Sequence, residues 1–255
     1  MEERLKLDFE KTLKNLSFSK KEIETKQNYL SRFLKVGFPN RNLENWKFSD
    51  LSQIIKKSIG ELSFYNDYSS SNKVDSSIFV DGLEHNKIVF VNGRVEKIDF
   101  QYEEKNKIDI LEGIELNDNF KNVNSLVNLN NAFTNKHFKI IVKNSYSLKK
   151  PLIIYHSTNK KIKAKNINIR LDFLLEQNSC LKIIDIFSDA SEKNFVNVFY
   201  NFELHKDSIL KNYKIDKLKN NNIKYSFNNI EQDTNSVSET FILSAGSHFL
   251  KNEIN

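Results

Sequence analysis

The sequence has little of what normally punctuates or cross-links a chain. Its 255 residues include six glycines, two prolines, one tryptophan and one cysteine. A lone cysteine, Cys180, excludes an internal disulfide, and it excludes any cluster or zinc site built from several cysteines of this chain. The low glycine and proline content argues against a collagen-like or disordered chain. No apolar run approaches the length of a bilayer span, and the charged start MEERLKLDFEK lacks the apolar region of a signal peptide. Together these absences lead us to expect a cytoplasmic protein without membrane association. Arginine is scarce too: of 39 basic residues only five are Arg. Phosphate and base-edge readers lean on the guanidinium fork. The net charge of +6 therefore reads as a compositional bias towards Lys, Asn and Ile, and no nucleic-acid partner is expected.

What the chain does have is apolar bulk. Hydrophobic residues make up 39%, with 20 Phe, enough for one large domain or a large one with a smaller one attached. Leu5, Phe9, Leu13 and Leu16 share one helical face. A second helix opens with a capping box, Ser19 and Glu22. It carries Ile23, Tyr29, Leu30, Phe33 and Leu34, then ends at Gly37, where a left-handed C-cap is expected, before Pro39. A short third helix starts at Ser49 or Asp50.

Past residue 60 the pattern changes. SFYNDYSSSN reads as a polar linker and IFVDG as a strand. KIVFVNGRVEKIDF reads as a hairpin turning at Asn92-Gly93. From residue 137 strands recur near 138–143, 152–156, 167–175, 181–187, 195–204, 209–215, 223–230 and 238–243. In NFVNVFYNFEL, Val196, Val198, Tyr200, Phe202 and Leu204 alternate with Asn197, Asn201 and Glu203, a half-buried strand. LLEQNSCLKIIDI (174–186) overlays ELHKDSILKNYKI (203–215) at an offset of 29, matching Cys180 to Ile209 and Leu181 to Leu210. The same step backwards sets Pro151-Leu152 beneath Cys180-Leu181. Such a period, with two strands per unit, predicts a stacked β-solenoid. An antiparallel sandwich would need more Gly and Pro at its turns. The expected organisation is an α-helical region over 1–60, a linker and mixed β segment over 61–136, and a β-helix core over 137–255.

The block GFPNRNLENWKFSDL (37–51) is similar to the N-terminal signature of the SufB/SufD family of iron–sulfur assembly proteins, and closer to SufD. The matching residues are Gly37, Pro39, Glu44, Trp46, Lys47, Phe48, Ser49, Asp50 and Leu51. LNNAF (129–133), KKPLIIYHS (149–157), LLEQNSCLKIID (174–185) and DSILKNYKID (207–216) resemble later family elements, in order. Read physically, the block is a joint. Gly37 and Pro39 end a helix, Trp46 and Phe48 staple the helical arm to the next layer, Glu44 pairs with Arg41 or Lys47, and Ser49 or Asp50 caps the next helix.

The resemblance implies a right-handed parallel β-helix and a non-catalytic scaffold that pairs with a SufB-like paralogue and a SufC-like ATPase. ATP enters only through the latter. The iron–sulfur cluster forms at the complex interface, and this chain alone binds no cofactor. Family members run on past GSHFLKNEIN, so the later coils, the interface histidine and the SufC-binding helices have no counterpart. No catalytic, cofactor or metal residue can be carried over. We expect a fragment, or a short form completed by another chain.

Cys180 is the one thiol candidate, set against a reading as an unreactive core hydrophobe. The histidines (85, 137, 156, 205, 248) show no ligand spacing. His205 reads as a solvated corner residue and His156 as unremarkable, while Asp185 and Asp216 read as strand ends rather than a carboxylate pair. The competing function is a β-solenoid binding module. For polysaccharide it would call for a carboxylate cluster, an aromatic row and a secretion signal; for nucleic acid, interleaved Arg and aromatics.

Overall fold

The computed structural model describes residues 2–64, 78–113, 124–158, 162–189, 192–218 and 222–255, with the backbone only for Asp189. Most of the SFYNDYSSSN linker and the end of IDILEGIEL lie outside them. Three helices lead: α1 (Glu2–Asn15), α2 (Lys20–Val36) and α3 (Leu51–Ser58). The Ser19/Glu22 capping box is formed in both directions, and Asp50 caps α3 by accepting from Gln53 N at 3.0 Å. Gly37 ends α2 at φ 74°, a positive value that favours glycine, but its ψ of −163° is not that of a left-handed helical cap.

The body is a β-solenoid of about four turns. Its strands are β1 (Asn86–Val91), β2 (Arg94–Asp99), β3 (Ile108–Glu112), β4 (Phe138–Val142), β5 (Leu152–Thr158), β6 (Asn166–Leu175), β7 (Cys180–Asp189), β8 (Phe195–Leu204), β9 (Ile209–Lys217), β10 (Ile223–Gln232), β11 (Val237–Ala245) and β12 (Phe249–Ile254). They form two sheets of six, ordered β11-β9-β7-β5-β1-β2 and β12-β10-β8-β6-β4-β3. All pairings are parallel except β1·β2 and β3·β4. Cys180 sits beside Ile209 and Leu181 beside Leu210, as the repeat predicts. One coil earlier the repeat fails: Leu152 pairs with Ile183, while Ser147 bridges to Cys180. Five residues thus span what three span in β7. The chain bulges here at Lys149-Lys150-Pro151, where proline has no N–H to give to the ladder.

The corners explain how a glycine-poor chain turns so often. Ser145, Asn178, Asp207 and Asn235 stack at successive coils with φ of 55–59°. Asn and Asp tolerate the left-handed region better than other non-glycine residues. At the opposite corner, Asn194 Oδ1 accepts from Lys165 N at 2.9 Å and Asn222 Oδ1 accepts from Asn194 N at 2.8 Å.

Inside the solenoid lies a continuous core that includes Ile88, Ile154, Leu171, Leu181, Val198 and Leu210. The NFVNVFYNFEL strand is buried on both sides, not one. Its outer face is covered by α4 (Ser125–Phe133), a helix that the sequence pattern does not reveal. All nine α4 residues are buried, so no polar face marks its period. Asn130 Nδ2 donates to Ile169 O (3.0 Å) and Asn197 O (2.7 Å), and Asn197 Nδ2 donates to Leu126 O (2.8 Å). The IFVDG stretch is not a strand: Ile78 and Phe79 pack over the outer face of β1 and β5. No described helix is long and apolar enough to cross a membrane.

The β1–β2 hairpin turns at Asn92 (φ 52°) and Gly93 (φ 83°). A Cβ on Gly93 would lie 2.6 Å from Ile167 Cγ2. Gly93→Ala combines this clash with backbone strain, so it should lower the urea unfolding free energy by about 1–3 kcal/mol.

Candidate functional site

The Gly37–Leu51 block is a joint built on Trp46. Its indole is 3% exposed, 5.9 Å from the Tyr225 ring and stacked 6.1 Å from Phe249. Lys251 lies 4.9 Å over it and donates to Asn45 O at 2.8 Å. Asn45 also donates to Glu253 at 3.0 Å. Leu51 N donates to Pro39 O at 3.1 Å, fixing the turn before α3, and Leu51 itself is fully buried. Glu44 pairs with Lys47 at 2.9 Å. Phe48 departs from expectation: it is 86% exposed, with Lys47 lying 5.3 Å over its ring, and it staples nothing.

Cys180 also departs from expectation. It lies on the outward row of β7, half-buried, because Leu181, Ile183, Asp185 and Phe187 take the inward row. It is not a core hydrophobe. His205 does sit at a corner, half-exposed, 3.1 Å from Glu203. Among the described residues no group of three His, Cys, Asp or Glu could hold a metal ion.

Two buried polar clusters were not foreseen. The first lies inside the solenoid. His156 is within β5 and fully buried, stacked between Phe90 (5.0 Å) and Phe187 (5.4 Å). Its Nε2 lies 2.8 Å from both Tyr200 Oη and Asp185 Oδ1. Asp185 is mid-strand in β7 rather than at its end, and Asp216 is the penultimate residue of β9. Lys214 Nζ donates to Ser226 Oγ at 2.7 Å and Asn228 Oδ1 at 2.9 Å, and it lies 4.0 Å from Asp185. Lys224 pairs with Asp216. Burial opposes charge on Asp185, but His156, then Lys214 and Lys224, overcome it and lower its pKa. Burial lowers Lys214 to about 8, with Asp185 pulling the other way.

The second cluster joins the helical arm to β6. Lys26 of α2 donates to Thr134 O (2.6 Å) and Asn131 O (3.3 Å), carbonyls at the C-terminal end of α4. Arg170 grips Asp172 with Nε and Nη2, both at 3.1 Å, and Asn131 Oδ1 with Nη1 at 2.5 Å. Its guanidinium lies 4.9 Å over Phe199. His137 Nε2 sits 2.8 Å from Asp172. Burial opposes the charge of Asp172, but Arg170 and His137 prevail and hold it at about 2. Burial takes Lys26 down to about 7; Glu22 resists this and Arg170 assists it. Lys26, Asn131, Thr134, His137 and Arg170 border a cavity of about 920 Å³ between the α1–α2 connection, the end of α4 and β6.

No protein-family model matches this chain, and no curated protein matches it by sequence. The site must therefore be read from its own chemistry. The second cluster was invisible in the sequence because Lys26, Arg170 and His137 are far apart along the chain and share no spacing. The only hint was an arginine inside a strand otherwise destined for the core.

Two outcomes follow. Trp46→Ala should destabilise the chain by about 3–5 kcal/mol in urea, followed by circular dichroism, while Phe48→Ser should stay within about 0.5 kcal/mol. Lys26 and Lys214 have native pKa values below their unfolded ones, so above pH 7 the unfolded chain binds more protons. Stability should then rise from pH 7 to about 9.5, with a slope approaching about 1.4 kcal/mol per pH unit for each lysine. Tyr200 and Tyr225, raised first by burial and then by Asp185 and Glu253 respectively, reverse the trend above about pH 10. Unfolding midpoints at stepped pH check this, and Lys26→Met should flatten the rise.

Proposed function

We propose that this chain is a non-catalytic scaffold subunit of a SufBCD-type iron–sulfur assembly complex in the cytoplasm. It pairs with a SufB-like paralogue through the outer face of its solenoid and works with a SufC-like ATPase, while the nascent cluster is cargo of the complex. Two things support the reading: the resemblance of the Gly37–Leu51 block, and one surface.

That surface carries the argument. On the outer face of the first sheet, the ladder aligns two rows of side chains. One runs Ile153, Ile184, Tyr213, Phe241 and the other Tyr155, Ile186, Ile215, Leu243. Over β5 the rows are covered by the chain itself: Phe79 packs edge-on to Tyr155 at 4.9 Å. Over β9 and β11 they are bare, with Phe241 58% and Leu243 56% exposed. A contiguous apolar patch of this kind is the mark of a protein–protein contact. A nucleic acid site needs basic groups among its aromatics to meet the backbone, whereas Lys211, beside Tyr213 on this face, is paired with Glu239 at 3.1 Å. The reading also carries a right-handed winding, which parallel strands joined by crossovers nearly always adopt.

Co-expression with SufB-like and SufC-like proteins, followed by purification on a tag on this chain, tests the proposal. Retention of the SufB-like protein is expected. Phe241→Asp with Leu243→Asp should weaken that retention on the order of tenfold or more. Recovery of the chain without either partner would overturn the reading, as would equal retention by the double variant.

A further inference from the structure

The cavity beside Lys26 is not accounted for by a scaffold. Capping the α4 carbonyls explains why a lysine is there, but not why about 920 Å³ of space adjoins it. That volume lies in the range of small-molecule sites, about 300–1,000 Å³. The lining is mixed but leans positive. Lys21, Lys26, Lys136 and Arg170 outnumber Glu22 and Glu112, and the exposed Lys136–Glu112 pair sits at the rim. Ser17, Ser19 and Thr25 add hydroxyls and Phe18 an apolar wall.

Two observations point to a ligand. Lys26 is nine-tenths buried or more, yet its two acceptors are both neutral carbonyls. The centre of the Phe18 ring lies 4.7 Å from its Nζ. A buried ammonium is costly, and Glu22, one turn back on the same helix, offsets that cost only in part, so the Lys26 pKa stays lowered. Asn131, 1% exposed and also lining the cavity, has an Nδ2 with no hydrogen-bond partner. An unmade buried donor costs about 1–3 kcal/mol. One acceptor group carrying negative charge answers the first deficit, and a small shift of the amide answers the second.

We propose that this cavity binds the oxyanion of a small metabolite, a phosphate ester or a carboxylate, held at Lys26 within the field of Arg170 and His137. The charged groups around Lys26 are Glu22 and Lys21 on its own helix, Arg170 and Asp172 from β6, Lys136 and His137 after α4, and Glu112 at the end of β3. Asp172 is already engaged by Arg170 and His137, Glu22 accepts from Ser19 N in the capping box, and Glu112 pairs with Lys136. An incoming anion therefore meets carboxylates that are already engaged and a lining that is net positive.

The test uses the full chain and sulfate, which stays a dianion across the working pH range, with binding followed by residue-resolved NMR shifts. Shifts should cluster at 17–26, 131–137 and 170. Protonated Lys26 falls from most of the population at pH 6 to roughly one part in thirty at pH 8.5, so affinity should drop on the order of 30-fold. Lys26→Met should bind sulfate at least tenfold more weakly, and Lys136→Gln, at the rim, only about two- to threefold. Inorganic phosphate and succinate, titrated in parallel at pH 7, assign the ligand to the phosphate or the carboxylate class by whichever binds tighter. Absence of saturable shifts at about 20 mM sulfate and pH 6 would overturn the proposal. So would shifts located elsewhere, or binding that is flat with pH. Should Lys26→Met fail to fold, the shift map and pH profile of the unmodified chain decide the matter. None of these readouts involves the SufB-like or SufC-like proteins, so the cavity and the scaffold reading fail independently.

Discussion

The parallel register of the solenoid is the constraint on which everything else depends. A single coil cannot bury its own inner face; the coil above and the coil below must do so. With Leu181 beside Leu210 and Val196 beside Ile167, each inward residue is sealed by its counterpart. A slip of one residue would send the whole inward set outside. The same register builds the column Phe90, His156, Phe187, Asp216, Ser244 and the outer apolar rows. The corners enforce it, because residues such as Asn178 and Asp207 turn the chain at equivalent points in every coil.

Much of this was legible in the sequence. The 29-residue offset, the Ser19/Glu22 box, the Asn92-Gly93 turn and the strands all depend on local spacing, which a sequence states directly. What escaped depends on partners distant in the chain. In β9, Ile209, Tyr213 and Ile215 face out while Asn212, Lys214 and Asp216 face in, the reverse of what alternation suggests. The inversion is possible because Ser226 and Asn228 of β10 stand opposite to receive Lys214. Phe48 was misread because a large aromatic beside a buried Trp looks like part of the same anchor. The cavity cluster gave no signal, since residues 26, 131, 137 and 170 meet only after α2 has docked on α4 and α4 on β6.

The polar interior changes along the axis. The first coil fills it with Ile, Leu and aromatics around one polar residue, His156; later ones place Asp185, Lys214, Asp216 and Lys224 there. Buried ion pairs rarely add stability over apolar residues of similar volume, yet removing one partner is strongly destabilising. The charged lumen therefore acts as a selector. A coil carrying Lys224 is acceptable only where Asp216 awaits it, so the later coils cannot exchange places with the apolar ones. The joint at Trp46 extends the same logic outwards, because the helical arm docks against Tyr225 and Phe249, side chains of these later coils.

The stacked corner asparagines have a bearing on how the molecule ages. Asparagine is chemically labile, and here it stands where other proteins place glycine. Asn235 Nδ2 donates to Asp207 Oδ1 of the neighbouring coil at 3.1 Å. Hydrolysis of that amide would leave a carboxylate facing a carboxylate, turning a rung of the corner ladder from attraction to repulsion. A solenoid that turns its corners with Asn and Asp instead of Gly gains an inter-coil hydrogen bond such as Asn235–Asp207, and it also acquires a chemical clock at its edge.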